Sequence, residues 1–174
     1  MRRLTAGRWK CSAVRMLLIV WHSRTGAARA MAEAARVGAS GELETRLITA
    51  DTAQADDLLA AQGYIFVCPE NLATMSGAMK EFFDRNYYPL LGRIEGRAYA
   101  TLIAAGSDGG GAQRQIDRIA TGWRLRRVAE PVIVNTAAQT PAAILAEKFL
   151  AVGDLERCRA LGQALGAGLA MGAF

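Results

Sequence analysis

Residues 16–35 read MLLIVWHSRTGAARAMAEAA. Six apolar residues, 16–21, run unbroken into His22-Ser23-Arg24-Thr25-Gly26, and an alanine-rich pattern follows. A continuous apolar run of that length suits a strand buried on both faces. Across 26–37, Ala27, Ala30, Met31, Ala34 and Ala35 give a small-residue helical face able to pack close to a sheet. Between strand and helix lie two hydroxyls, a glycine and the unpartnered amides of a first helical turn. That combination binds phosphate, because the free N–H groups sit at the positive end of the helix dipole. Plain capping of the helix by Ser23 or Thr25 is the alternative reading of the same residues.

Outward from this stretch the periodicity alternates in kind. Residues 43–48 read as a second strand, and 52–61 as a short helix capped by Asp51 or Thr52. YIFVC, 64–68, is a third buried strand, expected to stop at Pro69. A helix over about 76–86 turns Met79, Phe82 and Phe83 inward. Residues 98–105 form a fourth strand that ends in Gly106-Ser107-Asp108-Gly109-Gly110-Gly111. A helix over 113–121, a fifth strand over 131–135 and a closing helix over 155–169 complete the chain. Five β-then-α units predict an α/β, doubly wound five-stranded parallel sheet of order 2-1-3-4-5 with helices on both faces. The unusual loops follow the first, third and fourth strands, whose carboxyl ends are neighbours in that order. Ligands bind there in such sheets.

The chain has 174 residues, enough for one domain with a real core, and 52% hydrophobic with 21% charged residues excludes disorder. No apolar run reaches the roughly 20 residues of a membrane span. Cys11, Cys68 and Cys158 show no CxxC or metal spacing and read as buried or idle thiols of a reducing cytoplasm. Five of the 21 basic residues lie in the acid-free segment MRRLTAGRWKCSAVR, leaving 16 against 16 acidic residues from Met16 onward. The net charge of +5 is therefore no footprint for nucleic acid. The expected organisation is a basic leader over 1–15 and a single domain over 16–174. The leader lacks the apolar core of a secretory signal, and Met16 is the expected natural start.

Other phosphate readers are excluded directly. The sequence has no GxxxxGK[ST], and no GxGxxG follows its first strand. A phospho-receiver needs an aspartate where Cys68-Pro69 closes the third strand. His22, the single histidine, has no sequence partner that would make it a base or ligand.

The chain resembles the flavodoxin-like superfamily, in its branch of single-domain NAD(P)H-dependent FMN and quinone reductases. Ser23-Arg24-Thr25-Gly26-Ala27-Ala28 is similar to the family's S-x-T-G-x-T phosphate loop. YIFVCPENLATMSGAMKEFFDR, 64–85, resembles its strand, proline, loop and helix pattern. The resemblance spans nearly all of 16–174. It implies FMN as cofactor and NAD(P)H as co-substrate. Ser23, Arg24, Thr25, Gly26, Ala27 and Ala28 would hold the phosphate. Pro69, Glu70, Asn71, Leu72, Ala73 and Met75 would lie along the isoalloxazine, with Ser107, Asp108, Gly109 and Gly110 approaching from the other side. Ala28 replaces the last hydroxyl of the phosphate loop, a loss of about 1 kcal/mol, which Arg24 or Arg29 could offset by charge. Neither ring-side loop carries an aromatic stacker. Tyr87, Tyr88 and Trp123 read as packing residues.

The implied activity is transfer of reducing equivalents from NAD(P)H through flavin to a quinone-like or other small acceptor. Such chemistry belongs to the flavin, so no side chain is assigned a catalytic role. Arg93, Arg97 and Arg114 are candidates for a nicotinamide phosphate. A flavodoxin-type electron carrier is one alternative, although the neutral domain lacks a carrier's acidic face. A flavodoxin-fold module that has lost its flavin is the other. The expected partners are a small-molecule acceptor and a second copy, with neither nucleic acid nor membrane; residues 86–91 read either as the meeting surface of the two copies or as a contribution to the core. Intact mass of the protein from its native host is expected to lack residues 1–15, and a mass that includes them would overturn the assignment of Met16.

Overall fold

A computed structural model describes residues 15–174, so the expected leader lies outside the described residues except for Arg15. The elements are β1 (Met16–Trp21), α1 (Ala27–Ala39), β2 (Glu44–Thr49), α2 (Ala55–Ala60), β3 (Gly63–Asn71), β4 (Thr74–Met75) and α3 (Gly77–Leu90). They continue with β5 (Ala98–Ala105), α4 (Gly110–Gly122), β6 (Arg126–Arg127), β7 (Val132–Asn135), α5 (Pro141–Leu145) and α6 (Val152–Met171). The sheet runs β2-β1-β3-β5, with β6 and β7 sharing the last position beside β5, and these strands are parallel. The fold is the expected doubly wound one. Its fifth strand is split: β6 pairs with Ala98 and Tyr99, and β7 with 102–105. Pro131, with no N–H to give a ladder, stands immediately before β7.

Alternation along the strands builds two different cores. Leu18, Val20, Tyr64, Phe66 and Tyr99 point to α3 and α4, where Phe82, Phe83 and Trp123 are buried. Phe66 sits at the centre, its ring 5.1 Å from Phe83 and 6.2 Å from Phe82. Leu17, Ile19, Ile65, Val67 and Leu102 point to the opposite face, covered by α1 and α6. That core is aliphatic and small. Ala28, Ala32, Ala35 and Ala39 of α1 are buried against the sheet, so the helix lies low on it.

Three expectations need correction. Pro69 does not end β3, which runs on to Asn71. The Val67 carbonyl accepts from His22 N on the β1 side, so by strand alternation Pro69 turns its missing N–H to that side, past the end of β1. The short helix is capped neither by Asp51 nor by Thr52. Gln54 is its N-cap, in a capping box with Asp57 whose carboxylate accepts from Gln54 N at 2.9 Å. Arg93 and Arg97 lie away from the carboxyl ends of the strands. Arg97 donates to the Leu58, Leu59 and Ala61 carbonyls at the end of α2 and to the Tyr64 hydroxyl, and Arg93 to the Pro89 carbonyl.

Arg15, counted with the leader from its charge, donates to the Leu169 and Ala170 carbonyls at the end of α6. Cys68 and Cys158 are buried free thiols, pushed up by that burial to about 12 and about 11. Cys11 lies outside the described residues. Trp123 donates to the Tyr87 carbonyl and stacks on the Tyr87 ring, a packing role for both. No helix among the described residues is long and apolar enough to cross a membrane.

The contact of α1 with α6 has no spare volume. A Cβ on Gly162 would fall on the Ala35 carbonyl, and one on Gly38 on the Arg159 carbonyl. Gly162→Ala is therefore expected to destabilise the fold by about 1–3 kcal/mol, read from urea unfolding. Gly41→Ala, where no atom lies within 4 Å of the added carbon, should stay within about 0.5 kcal/mol of wild type.

Candidate functional site

The site is a cleft across the carboxyl ends of β1, β3 and β5. Its narrow part, about 270 Å³, is lined by Ser23, Arg24, Thr25, Ala27 and Ala28 on one wall and by Pro69, Glu70 and Asn71 on the other. Its wide part, about 970 Å³, shares Arg24, Glu70 and Asn71 and extends along Leu72, Ala73, Met75 and Ser107. The sequence-derived residues of the first and third loops thus meet in one concavity.

The first loop is shaped by its own backbone. Gly26 takes φ +96°, a conformation L side chains rarely adopt, and its N–H is accepted by Ser23 Oγ at 3.1 Å. No side chain among the described residues caps α1. Its first helical hydrogen bond runs from Ala30 N to the Gly26 carbonyl, so the amides of Ala27, Ala28 and Arg29 precede the ladder.

The second wall is a hairpin absent from the sequence reading. Glu70 pairs with Met75 and Asn71 with Thr74, and Leu72-Ala73 turns between them with φ of 52° and 61°. Two successive left-handed residues match the right-handed twist of a tight hairpin, a geometry usually given to Asn-Gly. Here a leucine and an alanine adopt it, and Leu72 is 99% exposed at the tip. Met75 lines the wide part, but its side chain is buried in the aromatic core.

Glu70 fixes this hairpin. Its two carboxylate oxygens accept from Gly109 N at 2.9 Å and Ala112 N at 3.0 Å, capping α4. The triple glycine answers to the same contact. Gly109 is left-handed at the N-cap, and a Cβ on Gly111 would fall on the Ala73 carbonyl. Asp108, Gly109 and Gly110 do not line the cleft, and of the fourth-strand loop Gly106 and Ser107 do. The Asn71 side-chain nitrogen lies buried in the cleft wall with no partner among the described residues. A buried amide donor without an acceptor costs about 1–3 kcal/mol, so this one marks where a ligand acceptor belongs.

The remaining wall was missed by sequence reasoning. Thr136, Ala138, Ile144, Leu145 and Lys148 close the narrow part, carried by the segment after β7, by α5 and by the chain beyond it. Lys148 N donates to the Thr25 carbonyl at 2.7 Å, tying this segment to the first loop. Its ammonium is spent on the Ala143, Ile144 and Ala146 carbonyls. The available signal was Thr140-Pro141, an N-cap followed by proline at the first helical position. His22 also has a partner. Its Nδ1 lies 2.8 Å from Oγ of fully buried Ser76, linking the first loop to the base of the hairpin. Burial lowers its pKa from 6.5; Asp51 opposes that shift and Arg24 adds to it.

Residues 28–139 match the profile of the NADPH-dependent FMN reductase family. Over 97 residues the chain is 35% identical to a flavodoxin of Aquifex aeolicus (strain VF5), a match covering 55% of this chain. The chain spans about half of that relative, 52% of its length. Among solved structures, an archaeal flavodoxin superposes with a TM-score of 0.72 at 18% identity, covering 88% of this chain and 98% of that one. A flavodoxin, WrbA-like protein, from Agrobacterium tumefaciens gives 0.70 at 20%, covering 91% and 98%. At such identities these two structures establish the fold alone.

Glu70→Ala removes both charge-assisted bonds to α4 and is expected to cost about 1–3 kcal/mol in urea unfolding. The His22 shift has a definite sign. The fold favours neutral imidazole, so stability from this source is complete above pH 6.5 and is lost as pH falls toward the lowered folded value. The urea midpoint should therefore drop below that pH, and His22→Gln should flatten that part of the profile.

Proposed function

The chain belongs to the NADPH-dependent FMN reductase family, and from that premise we propose that it binds FMN in the cleft and passes reducing equivalents from NAD(P)H to a small quinone-like acceptor. One observation carries the reading. The cleft has an uncapped helix start at one end and an orphaned amide donor in its wall, the two ends of a phosphate-bearing, hydrogen-bond-accepting ligand. FMN supplies the hydride chemistry at its ring when bound.

The chain's own residues bind and orient. The amides of Ala27, Ala28 and Arg29 and the hydroxyls of Ser23 and Thr25 serve the phosphate, with Arg24 adding charge at the rim. Ser23 Oγ already accepts from Gly26 N, which aims its remaining O–H outward. Asn71 Nδ2 donates to a carbonyl or ring nitrogen of the flavin. Glu70, committed to α4, is a positioning residue that keeps Asn71 and the hairpin in place. No side chain here has to move a proton.

A second reading, a flavodoxin-type electron carrier, is favoured by the 35% identity to the Aquifex protein. NADPH oxidation without an added reductase separates the two. The purified protein, loaded with FMN and desalted, is expected to show the visible bands of oxidised flavin, and Thr25→Ala to weaken FMN about tenfold, roughly 1.4 kcal/mol. A colourless protein that lets added FMN wash away would overturn the flavin reading.

A further inference from the structure

Below residue 22, β1 and β3 lie side by side in the sheet; beyond it the chain parts into the two walls of the cleft. Trp21, opposite Val67, is the last residue of β1 in register with β3. His22 then donates its backbone N–H to the Val67 carbonyl at 2.9 Å. Its ring reaches across to the start of α3, where Nδ1 lies 2.8 Å from Ser76 Oγ. Among the described residues these are the hydrogen bonds that join 22–28 to 67–76, and His22 makes both. Other ties of the two walls run elsewhere. The Thr25 carbonyl accepts from Lys148 N. The hairpin is held from α4, which takes the Glu70 carboxylate and supplies Gln115 Oε1 to Met75 N at 2.9 Å. His22 itself lines neither part of the cleft.

The bond from His22 to Ser76 has a direction. Ser76 is fully buried, and its hydroxyl has no other partner among the described residues. A buried hydroxyl proton needs an acceptor, so the fitting tautomer leaves Nδ1 bare to take it. A protonated ring carries N–H on both nitrogens, and the Ser76 proton then has nowhere to go. The titratable and charged groups facing the ring are Asp51 after β2, Arg24 on its own loop and, behind Ser76, the Cys68 thiol of β3, which burial keeps neutral. Burial favours the neutral ring, Asp51 opposes it and Arg24 adds to it.

We propose that His22 is a positioning residue that, while neutral, fixes the span between the phosphate loop and the hairpin, so that it governs affinity for a ligand engaging both walls and not for one engaging a single wall. The proposal rests on the flavin reading above. FMN engages both walls, by its phosphate and by its ring. Riboflavin lacks the phosphate and engages the hairpin wall alone.

The test is binding of FMN and of riboflavin to the full chain, followed by flavin fluorescence, in wild type, His22→Ala, His22→Asn and Ser76→Ala. Above pH 6.5, His22→Ala and Ser76→Ala are each expected to weaken FMN about tenfold and riboflavin less than about twofold. The double variant should lose no more than either single one, since both remove the same bond. His22→Asn, whose amide oxygen can stand where Nδ1 stood, should keep FMN within about twofold of wild type. As pH falls below 6.5, wild type should lose FMN affinity that His22→Asn retains, and the comparison cancels the titration of the FMN phosphate itself. Wild-type FMN binding that tightens in acid relative to His22→Asn would overturn the proposal, because His22 would then act as a charge beside the phosphate. Equal loss of FMN and riboflavin in His22→Ala would overturn it too, as the mark of a merely structural residue. Both of those results leave the flavin reading intact. Failure of wild type to bind either flavin at any pH would overturn that reading and this proposal with it.

Discussion

The central constraint is the position of β3, which must pair on both edges and pack on both faces at once. Residues 64–68 meet it with YIFVC, all fully buried. The alternation sends Tyr64 and Phe66 to the aromatic core and Ile65 and Val67 to the aliphatic one. Because β1 and β5 run parallel to it, all three strands deliver their following loops to the same end. Everything in the cleft hangs from that alignment. The buried Tyr64 hydroxyl shows the cost of such burial and how it is met: it donates to the Leu58 carbonyl at 2.8 Å, and Arg97 donates to it at 3.0 Å.

Helix starts divide the labour within this frame. α2 carries its own capping box, α5 is capped by Thr140, and α4 is capped by the Glu70 carboxylate. Ser76 begins α3 but its hydroxyl is committed to His22. α1 is left without a side-chain cap, and it is the helix whose first turn lines the narrow cleft. The starts of α3 and α6 also lack a side-chain cap, but α1 is the one whose first turn faces the narrow cleft, and the same Glu70 that closes α4 holds Asn71 in the wall.

The fold was legible where burial is extreme. The expected bounds of β1 and β5 coincide with those observed, because a run of six apolar residues, or of eight interrupted by a single threonine, has few other uses. The phosphate loop was legible from its hydroxyls and glycine. The hairpin was not, since Leu72-Ala73 is an unlikely sequence for two left-handed residues and gains its shape from tertiary contacts with α4. Gly109 and Gly110 were expected to approach the flavin, whereas this glycine run serves the contact with the hairpin, where Gly111 makes room for the Ala73 carbonyl. The wall over 136–148 has no periodic apolar pattern to betray it. Arg97 was assigned by charge alone, and charge does not say that carbonyls at the end of α2 have a prior claim on it.

The packing of α6 on α1 has a consequence for how the protein comes to exist. The glycine-lined contact joins residues 35 and 162, so the helix whose start lines the phosphate loop gains its outer support from α6, far along the chain. During synthesis the helix α1 lacks one wall until more than a hundred further residues have followed it. Contacts so distant in sequence form late, after the cost of closing the intervening loop has been met. The nascent chain therefore carries an apolar, alanine-lined α1 surface waiting for its cover, and the ligand site matures only after α6 has been made, long after its own loop.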